Sequence, residues 1–136
     1  MTNANLSVVQ AFYSALKHGD LERARTLLHH DVEWIQCRGF PGGGHHRGAE
    51  VLFREAFPRI AAEWRDFATA TDEFLSAGHS VVVIGRYSGV HTRTGRAMEA
   101  AFAHVYDVSE GRITRLRQIA DTYPMVLASV ERDLTS

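Results

Sequence analysis

Ala100-Ala-Phe-Ala-His-Val-Tyr-Asp-Val-Ser-Glu-Gly-Arg-Ile-Thr-Arg-Leu-Arg-Gln-Ile-Ala-Asp121 reads as two β-strands joined by a tight turn at residues 109–112. Apolar residues alternate along both runs, and Glu110-Gly111 sits where a two-residue hairpin loop belongs. His104 falls between Phe102 and Tyr106 on one strand face, and Asp121 ends the next strand. Antiparallel pairing is expected to bring the two groups toward one end of a sheet. An imidazole that titrates at about pH 6.5 and a carboxylate, both facing an apolar cavity, are the minimum kit for moving protons. The carboxylate would act as base or would orient His104 and favour its charged form. A plainer reading stands beside this one. His104 would be a core or interface histidine with its hydrogen bond satisfied, and Asp121 a turn carboxylate, since Asp121-Thr122 with Pro124 also marks a chain stop.

Working outward, three more segments upstream are strand-like or turn-like. Residues 67–77 and 80–90 read as strands, the second around Val81-Val82-Val83-Ile84, and residues 92–95 as a hairpin turn leading into a strand over 96–108. The front of the chain has helical periodicity instead. Leu6, Val9, Phe12, Tyr13 and Leu16 predict a helix over 5–18, capped by Asn3 or Asn5 and stopped by Gly19. Asp20 predicts the cap of a second helix with Leu21, Ala24, Leu27 and Leu28 inward. A short strand follows over 32–37, then a loop over 38–48 with five glycines and a proline. Helical spacing returns over 49–57, with Pro58 as a kink and Ile60, Ala61 and Trp64 continuing the apolar face. The tail over 121–136 is partly polar, with Tyr123, Met125, Val126 and Val130 as packing residues.

Helices first and a long meander afterwards give an α+β layout, with helices on one face of an antiparallel sheet. Both faces of the strand over 80–90 are apolar, so the uncovered outer face is expected to meet a second copy in a symmetric dimer. The chain's 136 residues carry 45% hydrophobic and 23% charged residues, the profile of one soluble domain spanning 1–136. A net charge of −1 with no basic face argues against nucleic acid as partner, and Arg112, Arg115 and Arg117 read as a solvated strand face. Cys37 is the single cysteine, which fits a reducing cytoplasm. The first residues lack the pattern of a secretory leader, and no apolar run reaches the roughly 20 residues of a membrane span.

Trp34, the glycine-rich loop, Gly48-Ala-Glu-Val, Val81-Val-Val-Ile-Gly-Arg-Tyr-Ser-Gly89, Thr94-Gly-Arg96, Phe102-Ala-His-Val-Tyr106, Gly111-Arg-Ile and Ala120-Asp-Thr carry a further signal. Over about residues 5–125 the chain resembles the SnoaL-like and ketosteroid-isomerase-like members of the nuclear transport factor 2-like superfamily. The resemblance implies a cone-shaped, curved sheet wrapped around the N-terminal helices, the cystatin-like roll, with an apolar central pocket. It also implies small-molecule chemistry, although the superfamily includes plain binding modules and fold alone does not choose among them. The steroid isomerases' catalytic aspartate falls at Gln36, which cannot abstract a proton, and their second acid falls near Ala103. The SnoaL-like cyclases use a histidine on the penultimate strand and an aspartate at the end of the last, positions matched by His104 and Asp121. Limonene-type epoxide hydrolases use an Asp–Arg–Asp set, to which only Arg86 and Gln118 correspond, loosely.

His104 and Asp121 are therefore the expected acid/base pair for isomerase- or cyclase-like chemistry, without a cofactor, on a small apolar carbonyl compound. Gln36, Gln118 and Arg86 would position its polar atoms. Tyr13 and Tyr106 would offer hydroxyls to an oxyanion. Trp34, Phe53, Phe57, Trp64 and Phe102 would line the pocket or fill the core. His46 would sit with His45 at the pocket mouth. No metal is expected, because the pairs His29-His30 and His45-His46 lack ligand spacing. The rival readings are a non-catalytic ligand-binding or dimeric interaction module, and epoxide-hydrolase-like activation of water.

Overall fold

The chain begins as an amphipathic hairpin of helices because both helix starts carry side-chain caps. In the computed structural model, which describes residues 3–130, α1 spans Ala4–Lys17 and α2 spans Leu21–Thr26. Residues 1 and 2, and the end of the expected polar tail over 131–136, lie outside the described residues. Asn3 caps α1 by accepting from the Leu6 N–H at 3.1 Å, and Asp20 caps α2 by accepting from the Arg23 N–H at 3.2 Å. Gly19 supplies the positive φ of +71° between them. α1 buries Val9, Phe12 and Ala15 against the sheet.

Among the described residues the sheet has six strands in the order β2-β1-β6-β5-β4-β3. They are β1 Leu28–Gln36, β2 Gly44–Arg47, β3 Trp64–Ala77, β4 Ser80–His91, β5 Ala97–Ser109 and β6 Arg112–Ala120. β3 to β6 form the expected antiparallel meander, and bulges interrupt its long strands at Arg65/Ala68, Thr71/Glu73 and Asp107/Val108. Such bulges bend a sheet and increase its twist. The β5–β6 loop has φ of +51° at Glu110 and +77° at Gly111, as the primed turns of tight hairpins require. One junction is parallel: β1 returns alongside β6, pairing Trp34 with Leu116 and Ile35 with Arg117. The sheet is unclosed, with β2 and β3 at its edges, and α1 packs against β3, β4, β5 and β6.

Three boundaries differ from the sequence reading, each because a tertiary partner outweighs local preference. Leu28 leaves the second helix to open β1, where it pairs with Ile113. Residues 44–47, expected in the loop, form β2, with Trp34 opposite His46 and Ile35 opposite His45. Trp64, expected to extend the third helical region, opens β3 opposite His91. That region runs as α3 Ala49–Val51, a π-helical turn over Leu52–Ala56 and α4 Phe57–Glu63. Pro58 has no N–H to give the Arg54 carbonyl, and the ladder shifts at this point: the Phe57 N–H reaches back five residues to the Leu52 carbonyl. The tail forms α5, Tyr123–Ser129, which buries Met125 while Tyr123 and Val126 stay exposed.

Candidate functional site

Strand alternation selects the groups that meet inside the fold. Trp34 and Gln36 on β1, Leu116 and Gln118 on β6, His104 and Tyr106 on β5, and Tyr87 on β4 all point to the inner face and are buried. α1 places Phe12 and Tyr13 opposite them, and α4 contributes Phe57 and Ile60. Together they border a cavity of about 540 Å³, closed further by Phe40 and Phe67. Cavities of this size accommodate small-molecule ligands. Lys17 is the charged side chain of the lining, and no carboxylate lines it among the described residues.

His104 is the centre of the polar part. Its Nδ1 meets the Tyr13 hydroxyl at 2.5 Å, and its Nε2 is hydrogen-bonded to the Tyr87 hydroxyl. The Tyr106 hydroxyl lies 2.9 Å from that of Tyr13. Gln118 anchors the other end. Its Oε1 accepts from the Cys37 N–H at 3.2 Å, so its Nε2 is the end that donates to the Tyr87 oxygen at 2.8 Å. The ring of Phe102 stacks on His104 with centroids 4.0 Å apart. Gly85 makes that possible, because a Cβ there would lie 2.6 Å from the Phe102 ring and 2.2 Å from the Ala70 carbonyl.

Burial governs the electrostatics. It lowers the His104 pKa from 6.5 to about 3, so the imidazole is neutral at physiological pH. It also pushes the Tyr13, Tyr87 and Tyr106 phenols above their ordinary value; hydrogen bonds from Gln118 to Tyr87 and between Tyr106 and Tyr13 modulate the effect. A neutral imidazole brings one N–H and three tyrosines bring one O–H each. Those four hydrogens serve three short contacts, Tyr106 with Tyr13, Tyr13 with His104, and His104 with Tyr87, beside a longer one of 3.4 Å between the Tyr106 hydroxyl and the His104 Nδ1. Whichever tautomer His104 adopts, the three short contacts leave one hydroxyl hydrogen over, and all three tyrosines line the cavity. Two buried polar atoms of lining residues, the Trp34 Nε1 and the Gln36 Oε1, have no hydrogen-bond partner among the described residues.

The expected His104–Asp121 pair is not assembled. Asp121 is exposed, does not line the cavity, and accepts from the Tyr123 N–H at 3.3 Å in a turn. It follows the parity of Arg117 and Ile119, which face outward, whereas Leu116 and Gln118 face inward. Arg86 is likewise on the outer face, where its guanidinium grips both Asp72 oxygens at 3.0 Å. Phe53 packs edge-on against Phe57 beneath the Arg25 guanidinium, and Trp64 packs against His91; neither borders the cavity. Phe102 backs the cluster rather than lining the cavity. His46 bonds the Gly42 carbonyl at 2.7 Å and stays out of the lining. Tyr13, Trp34, Gln36, Phe57, Tyr106 and Gln118 do line it, together with His104. Tyr87 is the member of the His104 hydrogen-bond cluster that sequence reasoning missed, and Phe12, Lys17, Phe40, Phe67 and Leu116 are further lining residues that it did not assign to the cavity. The alternation Val81, Val83, Gly85, Tyr87 along β4 is the signal that marks Tyr87 as inward. Among the described residues no group of three or more His, Cys, Asp or Glu side chains converges to hold a metal, and no helix is long and apolar enough to cross a membrane.

Comparison with known families fits this geometry. The model of the SnoaL-like domain matches residues 9–116. The chain belongs to the SnoaL-like domain family. An NTF2-like (nuclear transport factor 2-like) protein of Burkholderia thailandensis is similar to it at 31% identity and a TM-score of 0.89, over 95% of this chain and 99% of that one. TerC, co-crystallised with polyporic acid, is similar at 25% identity and a TM-score of 0.83, over 93% and 98% of the two chains. A protein of Xanthomonas campestris with a cystatin-like fold, at 19% identity and a TM-score of 0.78 over 92% and 95%, shares the fold of this SnoaL-like chain. No curated protein matches it.

Proposed function

We propose that this SnoaL-like chain binds a small apolar carbonyl compound in its cavity and moves a proton on it, as an isomerase or cyclase does. The observation that carries the reading is His104 held between the hydroxyls of two tyrosines that both line the cavity. A neutral imidazole with a hydroxyl on each nitrogen is a two-ended relay. The Tyr87 oxygen takes a proton from the carbon beside the carbonyl while its own hydrogen passes to Nε2. The Nδ1 hydrogen passes to the Tyr13 oxygen, and the Tyr13 hydrogen passes to the carbonyl oxygen. The ligand loses a C–H proton and gains an O–H proton, and every protein group ends neutral. The lowered basicity of His104 is then no obstacle, because the imidazolium never forms. The buried, aromatic surroundings strengthen each hydrogen bond in the chain. TerC, co-crystallised with polyporic acid, supports a small oxygenated molecule as the ligand.

The test is exchange of the acidic C–H protons of apolar aryl ketones in deuterated water, followed by NMR. The wild-type chain should accelerate exchange, and Tyr13→Phe and Tyr87→Phe should each slow it by about a hundredfold, the usual scale of general acid–base help. Ketone binding without accelerated exchange would replace catalysis with the binding-module reading, which the lack of a carboxylate in the lining favours. That lack also weighs against water activation on an epoxide. We further assign the outer sheet face to contact with a second copy, and the chain to the cytoplasm, where lone Cys37 stays reduced.

A further inference from the structure

The cavity lining divides by exposure. Its His104, Tyr87, Tyr106 and Gln118 are buried, whereas Lys17 at the end of α1, Ala61 on α4, and Ala68 and Thr69 on β3 are exposed. The cavity therefore meets solvent between these three elements. Lys17 is the charged residue of that rim, and among the described residues its ammonium has neither an ion pair nor a hydrogen bond. Lysine is favoured at helix C-termini, where it faces unpaired carbonyls. Here the carbonyls of the last turn are already taken. Ser14 accepts from the His18 N–H at 3.1 Å, Ala15 from the Asp20 N–H at 2.8 Å, and Leu16 from the Gly19 N–H at 3.2 Å. A lysine at such a rim lays its stem along the apolar wall and keeps its charge at the water boundary.

Two spacings relate this rim to the relay. Lys17 follows Tyr13 by four residues, one turn along the same face of α1, roughly 6 Å. Thr69 lies opposite Tyr87 in the β3–β4 register, roughly 5 Å across the ladder. Each relay tyrosine thus has a rim neighbour one step away. We infer that the ligand is an aromatic keto acid, with its carbonyl at the Tyr13–His104–Tyr87 relay and a carboxylate about one benzene ring away at the rim, where Lys17 and the Thr69 hydroxyl meet it. This rests on the carbonyl reading above and adds a second polar group, its charge and its place. One ammonium balances one negative charge. A phosphate dianion would leave a charge uncompensated, because no other cationic side chain lines the cavity among the described residues, and a cationic ligand would find no carboxylate there.

Calorimetric titration of the whole chain with 4-acetylbenzoate, 4-ethylbenzoate and the methyl ester of each tests it. The quantity read is the ester-to-acid ratio of dissociation constants, compared between variants, so any change in affinity shared by all four ligands cancels. Lys17→Met should lower that ratio by about fivefold, the upper scale of a solvent-exposed ion pair, and Lys17→Glu should lower it further. Lys17→Arg should keep it within about twofold, and high salt should shrink it in the wild type but not in Lys17→Met. A ratio that is the same in the wild type, Lys17→Met and Lys17→Glu overturns the inference. So does a wild type that binds the esters and neither acid. The ketone-to-ethyl comparison reports separately on the carbonyl reading. Acetyl compounds that bind no tighter than ethyl ones remove that reading, while the ester-to-acid ratio still decides whether Lys17 holds a carboxylate.

Discussion

His104 shows how burial converts a familiar titrating group into a neutral relay element. Its folded pKa of about 3 lies below the unfolded value of 6.5. Between those values the unfolded chain binds a proton that the folded chain declines, so stability rises with pH there. The stability is whole above about pH 6.5 and is lost as the pH falls toward 3. A gap of this size corresponds to a loss on the order of 5 kcal/mol. Urea melts of the wild type should therefore show midpoints that drop steeply below about pH 6, and His104→Phe should flatten that slope even if it is less stable at pH 7. An unchanged slope in the variant would mean that other groups cause the acid loss. The same shifts predict a turnover profile, if the relay turns over a ketone, that is level from about pH 5 to about pH 9, because no relay group titrates in that range. A bell centred near pH 6.5 would restore His104 as an ordinary acid/base residue. His104 itself was legible from its place between Phe102 and Tyr106 in the sequence. Its hydrogen-bond partners were not, because Tyr13 sits 91 positions away on α1 and no local pattern encodes that contact.

At the scale of the element, strand parity carries most of what the sequence says about the site, and it also explains the sharpest error. Asp121 shares the parity of Arg117 and Ile119, and both are exposed. With Leu116 and Gln118 inward on β6, the alternation of the strand by itself turns Asp121 away from the cavity. Asp121→Asn should accordingly leave ketone exchange, ligand affinity and fold unchanged within about twofold, and a large loss of exchange would return Asp121 to the site. The helix caps, the hairpin turn at Glu110-Gly111 and the order of the meander were all readable, because each is set by neighbours in sequence. β2 was not, because Gly44-His-His-Arg47 has little strand preference and becomes a strand only by pairing with β1. The close approach of β4 and β5 at Gly85 belongs to the same class of hidden contact. Gly85→Ala should cost about 2 kcal/mol or more and push the Phe102 ring off His104, since the new methyl meets both that ring and the Ala70 carbonyl. A melt shows the first effect, and a change in the His104 ring proton shifts by NMR shows the second.

At the scale of the molecule, one sheet face is used by the cavity and helices while the other carries exposed apolar side chains among its ion pairs. Leu75, Ile84 and Ile119 are 45%, 36% and 64% exposed. The register aligns them. Ile84 lies opposite Ala103, which lies opposite Ile119, and Leu75 pairs with Val82, which pairs with Val105. The result is an apolar patch centred on β4 and β5, with Glu73 and Arg117 at the ends of its two rows, Arg86 with Asp72 and Glu99 on one side and Arg115 with Asp107 on the other. Each flank carries both signs of charge, so a second copy turned about a two-fold axis can set its acids against these arginines. A nucleic acid would face the carboxylates at both edges, and a lipid surface would find the patch interrupted by ion pairs. Light scattering coupled to size exclusion should therefore report about twice the chain's mass at micromolar concentration. Ile119→Lys combined with Ile84→Lys should halve it, because two ammonium groups would be desolvated in each subunit's contact. The circular dichroism of the double variant should match the wild type, since both side chains point away from the core. Two outcomes remove the dimer: a wild type that elutes as a monomer at every concentration, or a double variant that keeps the doubled mass. In either case the apolar patch has some other occupant, and the cavity must work within a single copy.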